Sequence, residues 1–205
     1  MYFSAAVLAF ATSAFAQNQT GPFALHITGK TDKTIDGYGA SCHSGAAIET
    51  LCYSAGAASA SANQYYYNYS SYSPDTGAVS QPGLITWNLP FTSGANGSSV
   101  SYESQALELQ VNLVSNVLPA MFGFGDPTYF SFHPDNGTFY VGSAVDDSSF
   151  NETVPVEPYV GPIDNFYLCY QYFEGYYYRS VGWALTTPPH NPSCEPVNVA
   201  MEVVA

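Results

Sequence analysis

Basic side chains are almost missing from this sequence. Lys30, Lys33 and Arg179 are the only lysines and arginine in 205 residues, against sixteen acidic residues, for a formal charge of −13. Nucleic-acid binding is in large part neutralisation of phosphate by Lys and Arg, and attraction to anionic lipid needs a basic cluster. Three scattered cations supply neither. Long apolar runs are also missing. The segment MYFSAAVLAFATSAFA, residues 1–16, falls short of the roughly 20 residues of a membrane span. The C-terminal VNVAMEVVA is shorter still and carries Glu202, so it is no lipid-anchor signal. Catalytic signatures are absent as well. There is no Gly-x-Ser-x-Gly elbow, no His-Glu-x-x-His, no phosphate loop and no dinucleotide glycine motif, and nothing calls for a cofactor or a metal. GFGD at 123–126 reads as a turn. The acidic doublet Asp146-Asp147 reads as a solvated loop, since neighbouring strand residues point to opposite faces.

What is there points outward from the cell. Residues 1–16 end in Ala14-Phe15-Ala16 and turn polar at Gln17, the shape of a secretory signal peptide with a small-residue cleavage site. The expectation is a signal peptide at 1–16 and one secreted domain over 17–205. Five sequons agree with export, at Asn18, Asn68, Asn96, Asn136 and Asn151, while Asn191-Pro-Ser193 is blocked by its proline. The acidity reads as solubility.

Period-two patterns dominate, and they predict strands. Phe23, Leu25 and Ile27 share one face with His26 opposite. Ile85, Trp87 and Leu89 form another face. In ALELQVNLV, Leu107, Leu109, Val111 and Leu113 alternate with Glu108, Gln110 and Asn112. YFSFHPDNGTFYV reads as a hairpin with Asn136 at its tip. In NFYLCYQYFEGYYYRSVGWAL, a turn at Glu174-Gly175 would pair Tyr172 with Tyr177, Tyr170 with Arg179, Leu168 with Val181 and Phe166 with Trp183. Arg179 against Tyr170 would make a cation–π contact. Helix signal is scarce. AAIETL could form one or two turns with Ser44 near the N-cap, and Pro119 breaks SNVLPAMF. The fold class is all-β: a single-domain β-sandwich or jelly roll, with a β-trefoil-like closure as the alternative.

Four cysteines in an exported chain predict two disulfides. Three pairings are possible; Cys42–Cys52 with Cys169–Cys194 is favoured. Ten residues of helix would hold Cys42 and Cys52 about 15 Å apart, whereas a disulfide needs Cα atoms about 4.4–6.8 Å apart. The chain must therefore double back near His43-Ser44-Gly45. A zinc site at Cys42, His43 and Cys52 would need reduced thiolates and a fourth ligand, which an oxidising compartment opposes.

Several stretches carry a resemblance. GPFALHITGKTDKTIDGYG with CHSGAAIETLC, GLITWNL, and the tail YLCYQYFEGYYYRSVGWAL with PPHNPSCEPVNVAMEV resemble a family of small secreted ascomycete (fungal) proteins of uncharacterised function. The resemblance spans nearly all of residues 17–205. It implies secretion, a mostly β domain and disulfides, and it brings no activity.

Aromatic residues are the sequence's surplus. Tyr and Trp offer flat apolar faces with a polar handle, suited to sugar rings and protein partners. Tyr is also a good strand former, so many of these rings would simply build sheet faces. The candidate binding residues are Tyr65, Tyr66, Tyr67, Tyr69 and Tyr72 in the tyrosine-rich stretch, and Tyr170, Tyr177 and Arg179 in the late hairpin. The first expectation is a non-catalytic domain that binds glycan or an extracellular surface. A small carboxylate-dependent hydrolase is the second, with His43 and Arg179 as a further catalytic pairing, and a structural wall or spore-surface protein is the third. Two carboxyl groups about 5–10 Å apart in a groove would mark the hydrolase.

Overall fold

The computed structural model describes residues 17–56, 64–70, 82–93, 99–142, 144–145, 147, 150, 153 and 161–203. The expected signal segment, Tyr72, Asn96 and Asn151 lie outside the described residues. Twelve strands run in chain order: β1 Gln17–Gly29, β2 Asp36–Gly45, β3 Ile48–Ala55, β4 Tyr65–Ser70, β5 Gly83–Ser93, β6 Ser99–Leu109, β7 Val117–Gly123, β8 Ser131–Phe132, β9 Phe139–Tyr140, β10 Phe166–Phe173, β11 Tyr176–Ala184 and β12 Glu195–Val203. Among the described residues there is no helix. The fold is all-β and sandwich-like.

Ten strands join in one antiparallel sheet, in the order β10-β12-β1-β2-β3-β11-β7-β6-β5-β4. Additional pairings β10–β11, β1–β4 and β3–β7 close it on itself. Each of the ten strands therefore has a neighbour on both sides somewhere along its length. The branching arises because long strands change partner along their length. β1 pairs with β4 through Gln17–Thr20 and with β12 from Phe23 onward. The bend coincides with Gly21, whose φ is 137°, a backbone conformation that L side chains rarely adopt. No three-fold repeat appears in this pairing, so the trefoil alternative is not what forms.

Alternation buries one face of each strand in one continuous core. Phe23, Leu25 and Ile27 of β1 lie within it, while His26 faces out to Asp36 and Glu202 at 2.7 and 2.9 Å. Ile85 and Trp87 of β5, Leu118 and Phe122 of β7, and Val197 and Val199 of β12 join them. The late hairpin has the register read from the sequence, Phe166–Trp183 through Tyr172–Tyr177. Its turn residues Glu174 and Gly175 both take positive φ, 46° and 96°, as a two-residue type I′ turn requires. The β8–β9 hairpin also forms, with Asn136 exposed at its tip.

Three sequence expectations are corrected. AAIETL is not helical: Ala46 and Ala47 make a tight turn, and Ile48 begins β3, paired to Gly45. Ser44 does not cap a helix; its hydroxyl meets Thr50 Oγ1 at 2.6 Å inside the hairpin. Tertiary pairing decides here, since Ile48 and Thr50 are β-branched and Thr50 also pairs with Met121 of β7. SNVLPAMF, which Pro119 bars from helix as expected, enters strand β7 at Val117, and the strand runs straight through Pro119 opposite Gly182. And β6 stops at Leu109, so Val111 and Leu113 are exposed rather than buried. Asn112 turns the chain there, its Oδ1 accepting from Val114 N at 3.1 Å.

Both favoured disulfides are present. Cys42 and Cys52 lie on the paired strands β2 and β3 with Cα atoms 5.9 Å apart, and Cys169 and Cys194 join β10 to the segment before β12 at 4.1 Å. Two disulfides suit an oxidising compartment. No helix among the described residues is long and apolar enough to cross a membrane.

Candidate functional site

The site grows from the point where the β2–β3 hairpin and the β4–β5–β6 strands part company. Between them lies an open groove of about 750 Å³, a volume in the range of small-ligand sites. Ser41 and Glu49 line it from β2 and β3, Gln64 and Tyr66 from the start of β4, Trp87 through Pro90 from β5, and Tyr102 from β6. Three aromatic residues and one carboxylate residue thus border one concavity, Tyr66 and Tyr102 from the strand face opposite to the one on which Trp87 packs into the core.

The groove is anchored in the core. The Trp87 ring lies 6.1 Å from that of Phe122, and Tyr65 stacks on the same Phe122 at 5.6 Å. Phe122 is the register partner of Glu49. A buried aromatic post therefore fixes both the indole and the strand that carries the carboxylate. Tyr102, in contrast, is 66% exposed and stands at the rim.

Glu49 is the charged residue of this lining, and it is only 8% exposed. Burial pushes its carboxyl above the ordinary carboxylate value, opposed by the hydrogen bond and charge of His43. His43 Nδ1 is 3.3 Å from Glu49 Oε1, and its ring meets Tyr176 edge-on at 5.5 Å. The His43 carbonyl accepts from the Tyr178 hydroxyl at 2.8 Å. The late tyrosine hairpin thereby braces the wall behind Glu49. His43 braces the bend, as its position beside Cys42 suggests, and both neighbouring sulfurs are consumed by the disulfide. Among the described residues no group of three or more His, Cys, Asp or Glu gathers to hold a metal.

Two buried polar atoms nearby have no hydrogen-bond partner among the described residues: Tyr65 Oη and Gln105 Oε1. Tyr65, Trp87 and Gln105 are successive register partners across β4, β5 and β6. Gln105 Nε2 donates to Ala47 O at 2.7 Å, tying β6 to the β2–β3 turn behind the groove.

The sequence-predicted tyrosines divide three ways. Tyr66 lines the groove. Tyr65 and Tyr67 are corrected: at 0% and 1% exposure they are core residues. Burial pushes both phenols upward, and the Tyr67 hydroxyl donates to Phe130 O at 2.6 Å. Tyr69 packs on Tyr67 at 5.8 Å and is half-buried. Tyr170 and Tyr177 are exposed and stack at 5.6 Å on the late hairpin, beside exposed Tyr172. Arg179 is the register partner of Tyr170, but its guanidinium lies over Tyr53, 5.3 Å from the ring centre; the expected Tyr170 contact is corrected, because Tyr170 is taken by Tyr177. His43 and Arg179 are not brought together: His43 meets Glu49, and Arg179 lies over Tyr53.

Sequence reasoning did not single out Glu49, Tyr102 or Ser41. The signal for Glu49 was present: it stands two residues before Leu51, hence on the same strand face as a core residue. The helical reading of AAIETL hid it. No family model, curated protein or solved structure matches the chain.

Proposed function

We propose that this is a secreted, non-catalytic β domain that binds a glycan or another extracellular surface component, in the groove between the β2–β3 hairpin and β4–β6. The observation that carries the reading is the lining itself: Tyr66, Trp87 and Tyr102 around one concavity with a single carboxylate, Glu49. Aromatic faces suit sugar rings, and canonical glycoside hydrolysis asks for two facing carboxyl groups, of which the described lining offers one. The stacked exposed pair Tyr170 and Tyr177 supports a further contact patch on the same molecule.

Export is part of the proposal. The apolar leader, the two disulfides and the exposed sequon Asn136 support it. So does the resemblance of the sequence to small secreted ascomycete proteins. The sequons at Asn18 and Asn68 fall within β1 and β4, and Asn68 Nδ2 donates to Thr86 Oγ1 at 2.8 Å. Asn136 is therefore the sequon we assign first to a glycan.

The test is a binding and turnover screen of the oxidised, glycosylated protein against wall polysaccharides. Binding without turnover is expected. Tyr102→Ala, at an exposed rim position, is expected to weaken binding by about 2- to 12-fold, taking the lost ring contact as worth about 0.5–1.5 kcal/mol, and to leave the unfolding midpoint unchanged. Product release from any polysaccharide would replace the reading with the hydrolase. Absence of binding to all of them would leave the structural wall protein.

A further inference from the structure

The groove has the chemistry of a cation site, and resting on the glycan-binding reading we infer that its ligand is a polysaccharide carrying free amines, a 2-amino-sugar polymer, whose ammonium group sits against Glu49 in the groove that Tyr66, Trp87 and Tyr102 also border.

Three observations converge on this. First, the groove is bordered by a carboxylate residue and by Tyr66, Trp87 and Tyr102. Aromatic faces attract ammonium groups through their quadrupole, and more strongly when water is excluded. A carboxylate beside them supplies the counter-charge. Second, no cation is available to serve an anionic ligand. Lys30 is paired with Asp164 at 2.9 Å, Lys33 is bonded to the carbonyls of Gly29 and Lys30, and Arg179 is held over Tyr53. With a formal charge of −13, the whole molecule repels uronic-acid and sulfated chains and attracts cationic ones.

Third, Glu49 is only partly satisfied from within, and an ammonium group is donor-only, with three N–H bonds to offer it. The hydrogen-bond partner of Glu49 among the described residues is His43, at a long 3.3 Å and through Oε1 alone. A second cation is therefore accommodated without displacing an existing ion pair. A repeating sugar ring answers the remaining feature, the open and elongated mouth running from Trp87 to Pro90 along β5, because successive rings can lie along a strand while one amine reaches the carboxylate.

The experiment is isothermal titration of the oxidised protein with three oligosaccharides of equal length: glucosamine, N-acetylglucosamine and glucose oligomers. It is run as a series from about pH 5 to about pH 7, because burial raises the Glu49 carboxyl above the ordinary carboxylate range while the sugar amine must stay protonated. The glucosamine oligomer is expected to bind about tenfold tighter than either neutral oligomer, equivalent to about 1.4 kcal/mol, with the preference shrinking as salt is added. Glu49→Gln, which keeps the side chain's shape, is expected to abolish the preference, bringing the glucosamine oligomer to the affinity of the neutral oligomers. Equal or tighter binding of the acetylated or glucose oligomer, or a preference that survives Glu49→Gln, overturns the amine assignment and leaves the glycan-binding reading standing. Oligolysine competing as well as the glucosamine oligomer overturns it too, because the groove would then be reading charge without a sugar. Failure of all three oligomers to bind a protein shown to be folded by circular dichroism removes the amine assignment and the glycan-binding reading together.

Discussion

At the scale of single residues, two buried carboxylates set the molecule's response to pH. Burial lifts Glu49 and Glu108 above the ordinary carboxylate value, and Glu108 is also raised by Asp126 while the Gly125 N–H holds it down. Folding therefore tightens proton binding at both sites. Their favourable contribution is complete below the unfolded carboxylate value and is lost as pH climbs from there through the raised folded value. Glu108 gives the cleaner test, since no histidine offsets it. Glu108→Gln keeps an acceptor for Gly125 and removes the titration. Its urea midpoint is expected to match the parent at about pH 3, below the ordinary carboxylate range, and to exceed it increasingly toward neutrality. A constant gap between the two midpoints would show that Glu108 does not titrate through folding. Tyrosine roles were the least legible part of the sequence at this scale. Tyr65, Tyr66 and Tyr67 are chemically alike, and only the strand phase separates the core pair from the groove residue between them. Consecutive rings must alternate, but the sequence does not say which set faces inward. Glu49 was readable from Leu51, two positions on, once the segment is taken as a strand.

Individual elements were legible where local chemistry and tertiary pairing agree. The β10–β11 hairpin is the clearest case: Glu174-Gly175 supplies a turn with two positive φ angles, and alternating aromatic partners lock the register. Gly175 has φ 96° with open space where a Cβ would stand. Gly175→Ala therefore costs conformational energy without a clash, about 1–2 kcal/mol in stability by chemical denaturation, and Gly175→Asn is expected to cost less, since Asn tolerates the left-handed region. Equal stability of all three would mean that the turn relaxes to another type. The elements misread are those in which a neighbour distant in sequence makes the decision. Helix-tolerant AAIETL becomes a strand because β2 lies on one side and β7 on the other. Pro119 bars a helix over SNVLPAMF, as its sequence reads, and β7 passes through it as a strand; its carbonyl accepts from Gln110 N at 2.9 Å. The end of β6 was invisible because Val111 and Leu113 keep the alternation after the pairing has stopped.

For the molecule as a whole, cross-links and closure act on different states. The disulfides restrict the unfolded chain, and removing either one by a paired Cys→Ser substitution is expected to cost about 3 kcal/mol on the loop-entropy model, read as a shift in urea midpoint. Loss of Cys42–Cys52 should fall on the hairpin that carries Glu49, so ligand affinity should drop with it. Loss of Cys169–Cys194, which ties β10 to the segment before β12, should lower stability and spare affinity. Equal effects on affinity would mean that the groove wall does not depend on its own staple. The cysteine pairing was legible because sequence separation limits geometry. The sheet order was not, since it depends on strands such as β1 that divide their length between partners.

Closure has one more consequence. Among the ten strands of the main sheet, backbone donors and acceptors are met on either side by the molecule's own chain over at least part of each strand. A second copy arriving in solution meets ladder left open among the described residues where a strand outruns its partner, as along 102–105 of β6 on the side away from β5, but not along the full length of any of these ten strands. A protein so rich in tyrosine and β-branched residues would otherwise be a hazard at high concentration. It is expected instead to stay dispersed when concentrated and agitated, without the lag and rise in thioflavin fluorescence that mark fibre growth.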